Sequence, residues 1–240
     1  MKKILIAVVL SLFLSSNAFA LNEYTEKDIK DCGDLKCGQD GNPITGKVNS
    51  YYENGELMAE TPYKNGKAEG LAKAYYENGN LMVETPYKNG KEEGLFKVYF
   101  ENGNLMGEVP YKNGKEEGIS KDYYENGNLK REITFKNGTL EGLTKEYYEN
   151  GELMGEMPYK NGKVEGLAKA YYESGELKGE MPYKNGKKEG LFKVYYINGV
   201  LAKEITFKDG KAVSGYFYDG AGKKTKMTNA HLHNLNKDSP

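Results

Sequence analysis

The chain has 240 residues, 34 Lys and Arg against 35 Asp and Glu, a formal charge of -1, and no Trp. That balance argues against a nucleic-acid binder, which would carry a basic patch, and lends no support to membrane lipid binding. Hydrophobic residues make up 38% and Gly accounts for 30 positions, lean for a globular core and rich in turn formers.

Residues 1–20 read as a signal peptide. Lys2 and Lys3 form a basic start, and Ile4 to Leu14 is an apolar run broken only by Ser11, too short to span a bilayer comfortably. Ala18-Phe19-Ala20 has the small-x-small pattern of a cleavage site, so cleavage is expected after Ala20. Losing Lys2 and Lys3 would move the formal charge from -1 to -3. No Cys follows the cleavage point, which argues against lipidation there. The expected destination is outside the cytoplasm: periplasm, cell surface or medium.

Residues 21–39 read as an N-terminal cap. Thr25-Glu26-Lys27-Asp28 is a candidate helix start. Cys32 and Cys37 are the only cysteines, and in an exported chain such a pair is expected to form a disulfide. A metal site would need more ligands than this segment offers.

From 40 to 220 the chain repeats itself. Tyr51, Tyr75, Tyr99, Tyr123, Tyr147, Tyr171 and Tyr195 each open nearly the same phrase, 24 residues apart. A fixed period of this size means stacked structural units rather than one enzyme-like core. Each unit carries two turn signals, such as Asn78-Gly79 and Asn89-Gly90, both read as type I′ hairpin candidates. Pro86 and its copies argue against a helix. The expectation is two strands per unit, near Gly70–Tyr76 and Leu81–Tyr87, in an antiparallel meander.

Charge sets the expected register. A tight turn at Asn78-Gly79 places Tyr76 against Leu81, Ala74 against Val83, Lys73 against Glu84 and Gly70 against Tyr87. For the other turn, a two-residue loop would set Glu84 against Leu95, and a six-residue loop would set Glu84 against Lys97 and Tyr87 against Gly94. The second is preferred, because opposed unlike charges are favourable. The same register makes neighbours of the three unusual charges Asp122, Arg131 and Glu146. Lys73, Glu84, Lys97, Glu108, Lys121 and Glu132 then alternate along one face, and Tyr76, Leu81, Phe100 and Leu105 form an apolar row on the other.

Constant positions serve stacking, and varied positions are free for recognition. The varied positions fall on one face, and the candidate partner-binding face comprises Phe96, Val98, Asp122, Arg131, Glu146, Phe192 and Val194. The alternative is that Phe96 and Phe192 only fill gaps beside small neighbours.

The stretch "YKNGKEEGLFKVYFENG", Tyr87 to Gly103, resembles the MORN repeat in its Tyr-Lys-Asn-Gly-Lys-x-Glu-Gly spacing and the Tyr/Phe-Glu-Asn-Gly that follows. The resemblance runs from about Asp40 to Gly220 and departs where the usual second Gly is Ala72, Phe96, Ser120, Thr144, Ala168 or Phe192. The Leu-x-x-Glu element and the absence of Trp resemble the bacterial variants named YwqK-type antitoxins. The resemblance implies an elongated single-layer antiparallel sheet that serves interaction or assembly.

After Gly210 the spelling slips by one residue, and Tyr216 to Gly220 is read as a final edge hairpin. Residues 221–240 are polar and expected to be a disordered tail, including His231 and His233. Every Glu and Lys of the array recurs in an equivalent setting, and no His lies within it. No enzymatic activity, catalytic residue, cofactor or metal is therefore expected. The sequence leads to an exported, non-enzymatic protein-interaction scaffold. An antitoxin or immunity protein that caps a toxin is the alternative.

Overall fold

The computed structural model describes residues 23–237. The segment read as a signal peptide lies outside them. The fold is all-β, a single-layer antiparallel meander of repeated hairpins with one helix among the described residues. The chain divides into two compact units, Met1–Gly118 with Glu125–Gly127, and Ile119–Tyr124 with Asn128–Pro240.

Within the first unit, strands Gly70–Tyr75, Leu81–Lys88 and Gly94–Tyr99 lie side by side. Lys73 faces Glu84, Ala74 faces Val83 and Gly70 faces Tyr87. On the other side Glu84 faces Lys97 and Val83 faces Val98. This is the register expected from charge, with two corrections. Tyr75, not Tyr76, faces Leu81, because a bulge falls between Ala74 and Tyr75. At Asn78-Gly79 only the glycine is left-handed, at φ 83°. The Gly79 N–H donates to the Tyr76 carbonyl at 2.9 Å and the Tyr76 N–H to the Asn80 carbonyl at 2.8 Å. A longer loop that ends in one left-handed glycine shifts the pairing by one residue.

The type I′ turn is the other one. Asn89 and Gly90 are both left-handed, at φ 51° and 80°. Tyr87 pairs with Glu92 and Lys88 with Lys91. The two loop options are thus both realised: a tight turn, a short strand Lys91–Glu92, then a bulge that restores Glu84 to Lys97. Tyr87 does not lie against Gly94. Pro86 offers a carbonyl but no N–H, so the ladder cannot run straight past it. The Glu93 N–H takes that carbonyl at 2.9 Å. Gly94 follows at φ 121°, and a Cβ there would stand 3.1 Å from Pro86 Cγ. Thr134 and Thr206 replace the proline in two strands, yet the Thr134 carbonyl still accepts the Glu141 N–H at 3.0 Å. The bulge therefore belongs to the repeat, and proline reinforces it.

The cap closes the first unit. Glu23–Thr25 pairs in parallel with Gly46–Tyr51. The candidate helix start is a single 3-10 turn, Glu26–Asp28, whose Asp28 carboxylate accepts the Thr25 N–H at 2.8 Å. Ile29–Cys32 and Leu35–Gly38 form a hairpin bridged by the Cys32–Cys37 disulfide. The Lys36 N–H donates to the Gly66 carbonyl at 2.8 Å, and the Gly66 N–H to the Ile44 carbonyl at 2.7 Å. A Cβ on Gly66 would stand 2.8 Å from the Lys36 carbonyl oxygen, so this turn must present glycine to the cap.

The second unit ends differently from expectation. Lys211–Tyr218 and Lys224–Lys226 form the edge hairpin, but residues 221–240 are not a disordered tail throughout. Asn229–Lys237 is a helix, and Leu232 and Leu235 pack on a core of Ile205, Phe207, Ala212 and Met227. The Asn236 side chain accepts from the Ala212 N–H at 2.7 Å and donates to the Ala212 carbonyl at 3.2 Å. One side chain thus mimics the next strand at an open edge, the place where unpaired backbone is a liability. His231 stacks edge-on to Phe217 at 5.2 Å.

The disulfide closes a loop of only five residues' separation. Reduction is expected to cost about 2 kcal/mol or less by the loop-length relation. It should loosen the cap hairpin in hydrogen exchange and leave the melt of the repeats unchanged. Loss of the repeats' strand spectrum on reduction would show that the cap holds the array.

Glu26 supplies a pH dependence. Both its carboxylate oxygens are buried without a hydrogen-bond partner. Burial pushes its pKa up from 4.5 to about 7, against the pull of Lys36. A carboxyl raised in the folded state favours its protonated form. Its stabilisation is full below 4.5 and lost as pH rises through about 7. Glu26→Gln should flatten the pH dependence of cap amide exchange across that window. An unchanged pH profile would place the titration in another group.

Candidate binding surface

Alternation along each strand assigns the two faces. Lys73 and Glu84 lie on one face with Leu71, Pro86 and Tyr75. Ala72, Ala74, Val83 and Thr85 lie on the other, with Tyr87.

The charged face is held together by more than its ladder. Lys47 meets Glu60 at 2.7 Å and Lys169 meets Glu156 at 3.3 Å. The tyrosine that opens each phrase also donates its hydroxyl to a ladder glutamate of the preceding repeat. Tyr75 reaches Glu60 at 3.2 Å, Tyr99 reaches Glu84 at 2.9 Å, and Tyr147 reaches Glu132 at 3.1 Å. Burial, then the bond to Glu84, pushes the Tyr99 hydroxyl up to about 12. Next to this ladder runs a row of exposed aliphatic side chains. Leu71 and Leu95 belong to the first unit, and Leu143, Leu167 and Leu191 to the second. Sequence reasoning passed over them as constant letters. Their position two residues before each ladder lysine was the available signal.

The second tyrosine of each pair ties repeats together. Tyr52 donates to the Tyr75 carbonyl at 2.6 Å and Tyr76 to the Tyr99 carbonyl at 2.7 Å. In the second unit Tyr148 reaches Tyr171 and Tyr172 reaches Tyr195, each at 2.8 Å. Each accepting carbonyl belongs to the residue at the bulge, where the two-strand pairing shifts. The apolar Tyr76 and Leu81 row is therefore also a row of hydrogen bonds.

The varied positions divide between the units. In the first unit Ala72, Ala74, Val83, Thr85 and Val109 are all buried. Phe96 and Val98 are half-buried, and Phe96 stacks edge-on to Tyr111 at 6.1 Å. These residues cover the sheet's own backbone, and Phe96 and Val98 are not a free apolar platform. Phe192 likewise packs against Phe207 at 6.3 Å and against the terminal core. A Cβ on Gly179 would lie 3.5 Å from Phe192 Cε2, so this phenylalanine fills the gap left by a small neighbour. Val194, facing Gly179 and Lys203, is half-buried.

The second unit brings the charged residues together as the register required. Arg131 Nε donates to Asp122 Oδ2 at 2.9 Å, and Nη2 to the same oxygen at 2.5 Å. Glu146 faces Arg131 across the strands, with its carboxylate 3.9 Å from Nη1 and its side chain 54% exposed. Arg131 is thus committed to Asp122, and Glu146 is left as the outward carboxylate.

From Glu146 one unbroken cross-strand row runs through Gly155, Ala170, Gly179 and Val194 to Lys203. Ala170 is exposed in the middle of this row, Gly155 is half-buried where a Cβ would stand only 3.1 Å from the Lys169 carbonyl oxygen, and Gly179 is buried beside Phe192. Met157 and Met181, two residues along from Gly155 and Gly179 on the same strands, are half-buried. The row has an anionic end at Glu146 and a cationic end at Lys203.

With this geometry in place the comparisons are clear on family. The MORN repeat variant family matches seven segments, 44–65, 68–89, 92–113, 116–137, 140–161, 164–185 and 188–209. The chain belongs to that family. No curated protein matches it. Among solved structures, a crystal structure of TcdB2-TccC3-Cdc42 is 13% identical, covering 80% of this chain and 12% of that one at a TM-score of 0.21. A Photorhabdus luminescens Tc holotoxin pore structure is 12% identical, covering 79% and 12% at the same TM-score of 0.21. This chain thus spans a small part of those chains, and a likeness at that score says nothing of function.

The tyrosine bonds can be tested singly. Tyr172→Phe removes one hydroxyl from a half-buried carbonyl and should cost about 1 kcal/mol in a denaturant melt. An unchanged midpoint would mean that water replaces the hydroxyl at no cost.

Proposed function

We propose that this protein is an exported, non-enzymatic repeat scaffold whose second unit binds a protein partner along the cross-strand row from Glu146 through Ala170 to Lys203. Its family supplies interaction modules, which supports a scaffold. The basic start, apolar run and Ala18-Phe19-Ala20 support export. The observation that carries the binding reading is the row itself. It exposes a small residue, Ala170, at its middle, has adaptable methionines two residues along its strands, and is charged oppositely at its two ends. An extended segment with a basic and an acidic residue spaced across it would match both ends. An antitoxin or immunity role is the finer reading supported by the Leu-x-x-Glu spelling. It requires that the partner be a toxin met along the export route.

The test begins with capture of partners from the protein's own cell envelope, with neighbouring genes compared to the hits. Ala170→Arg, which covers the exposed middle of the row, and Arg131→Ala, which frees Asp122, should each weaken capture about tenfold or more, a loss near 1.4 kcal/mol. Both should retain the wild-type circular dichroism melt. Leu167→Asp alters the exposed leucine row on the opposite face and should leave capture intact. Loss with Leu167→Asp and none with Ala170→Arg would move the binding site to the charged face.

A further inference from the structure

The two turns of every repeat emerge at opposite edges of the sheet, and they differ in charge. In the second unit one edge presents Glu149, Glu152, Glu173 and Glu176, all exposed, with no Lys or Arg in the turns 148–152 and 172–176. The opposite edge presents Lys160, Lys163, Lys184 and Lys187, also all exposed. Lys160 lies directly across from Lys163, and Lys184 from Lys187. Like charges in opposed positions are unfavourable within one sheet. No ion pair among the described residues relieves these four.

The glutamates on the lysine edge do not cancel them. Glu165 Oε2 accepts the Asn185 N–H at 2.5 Å, and Glu189 Oε2 accepts the Asp209 N–H at 2.7 Å. Each is half-buried and spent on fastening the next turn, which leaves the lysines at the rim. In the first unit the lysine turns also carry Glu92, Glu93, Glu116 and Glu117, so the division is sharpest in the second unit, where Val164 and Lys188 stand at the positions of Glu92 and Glu116.

We propose that the protein associates with further copies of itself edge to edge, the glutamate turns of one copy lying against the lysine turns of the next. The occupant follows from spacing as well as sign. Both rows of a unit come from one repeat, so their charges recur at one pitch, two strands or about 9.6 Å. A second copy of this chain is the one partner whose opposite row is guaranteed the same pitch. The contact joins unlike surfaces, so it does not close on itself and builds open arrays. It rests on exposed charge pairs, each worth a few tenths of a kcal/mol, and must be steeply salt-sensitive. It uses the turns rather than the row from Glu146 to Lys203, so it stands or falls independently of the proposed partner site.

Sedimentation velocity on the purified protein tests this. At about 0.01 M salt, where screening extends about 30 Å, the weight-average sedimentation coefficient should rise with protein concentration. At about 1 M salt, where it extends about 3 Å, the rise should vanish. One variant carries K160E, K163E, K184E and K187E, and a second carries E149K, E152K, E173K and E176K. Each alone should associate at least about tenfold more weakly in low salt, and mixing the two should restore association. If a reversed variant loses its strand spectrum, the neutral Lys→Gln set replaces it, with the same weakening expected. A wild type that stays monomeric in low salt would overturn the proposal. So would association indifferent to salt, or mixed variants that remain apart.

Discussion

A sheet one layer thick has no second layer to bury its backbone, so each repeat must be completed by the next. The hydroxyl of the second tyrosine carries much of that burden. The bulge at Tyr75 takes a carbonyl out of the two-strand pairing, and Tyr52 from the preceding repeat reaches it at 2.6 Å. The bulge and the tyrosine are therefore one device. Without the bulge the carbonyl would belong to the ladder, and without the hydroxyl it would be left unpaired in a half-buried position. Phe100 holds the equivalent position with no hydroxyl to give.

The other irregularity works by the same logic. A proline in a strand with neighbours on both sides normally argues against the strand. Here the chain answers the missing N–H with a second bulge, a left-handed glycine and a short strand, at the same place in each proline-bearing repeat. The glutamate of that bulge then fastens the following turn, as Glu69 does in accepting the Asn89 N–H at 2.6 Å. Neighbouring repeats are joined at both edges and on both faces. This explains how so few fully buried residues suffice: Ile44 and Ile205 are the large aliphatic side chains that are almost wholly enclosed among the described residues.

Binding capacity follows from what this self-completion leaves over. In the first unit the varied face is consumed by covering backbone. In the second, Ala170 stays exposed in the middle of a row whose ends are marked by the Arg131 cluster and Lys203. The exposed leucines and the segregated turn charges are left over in the same sense. The turn lysines and glutamates named above form no ion pair among the described residues, and they recur because the repeat recurs.

The sequence by itself determined the fold class, the repeat period, the pairing of Lys73 with Glu84 and Glu84 with Lys97, and the meeting of Asp122, Arg131 and Glu146. All of these follow from short-range rules, a strict period of two along a strand and unlike charges across it. It missed what depends on a third element. A helix of nine residues with two leucines looked like polar tail because its apolar side needed only to cover the last strands. Phe96 and Phe192 looked free because nothing in their own strands shows Tyr111 or Phe207 leaning over them. The shift from Tyr76 to Tyr75 opposite Leu81 was hidden because the bulge leaves a carbonyl that is satisfied by a hydroxyl from another repeat. Only the tertiary structure decided which side chains remained exposed, since exposure is set by neighbours in space and not by neighbours in sequence.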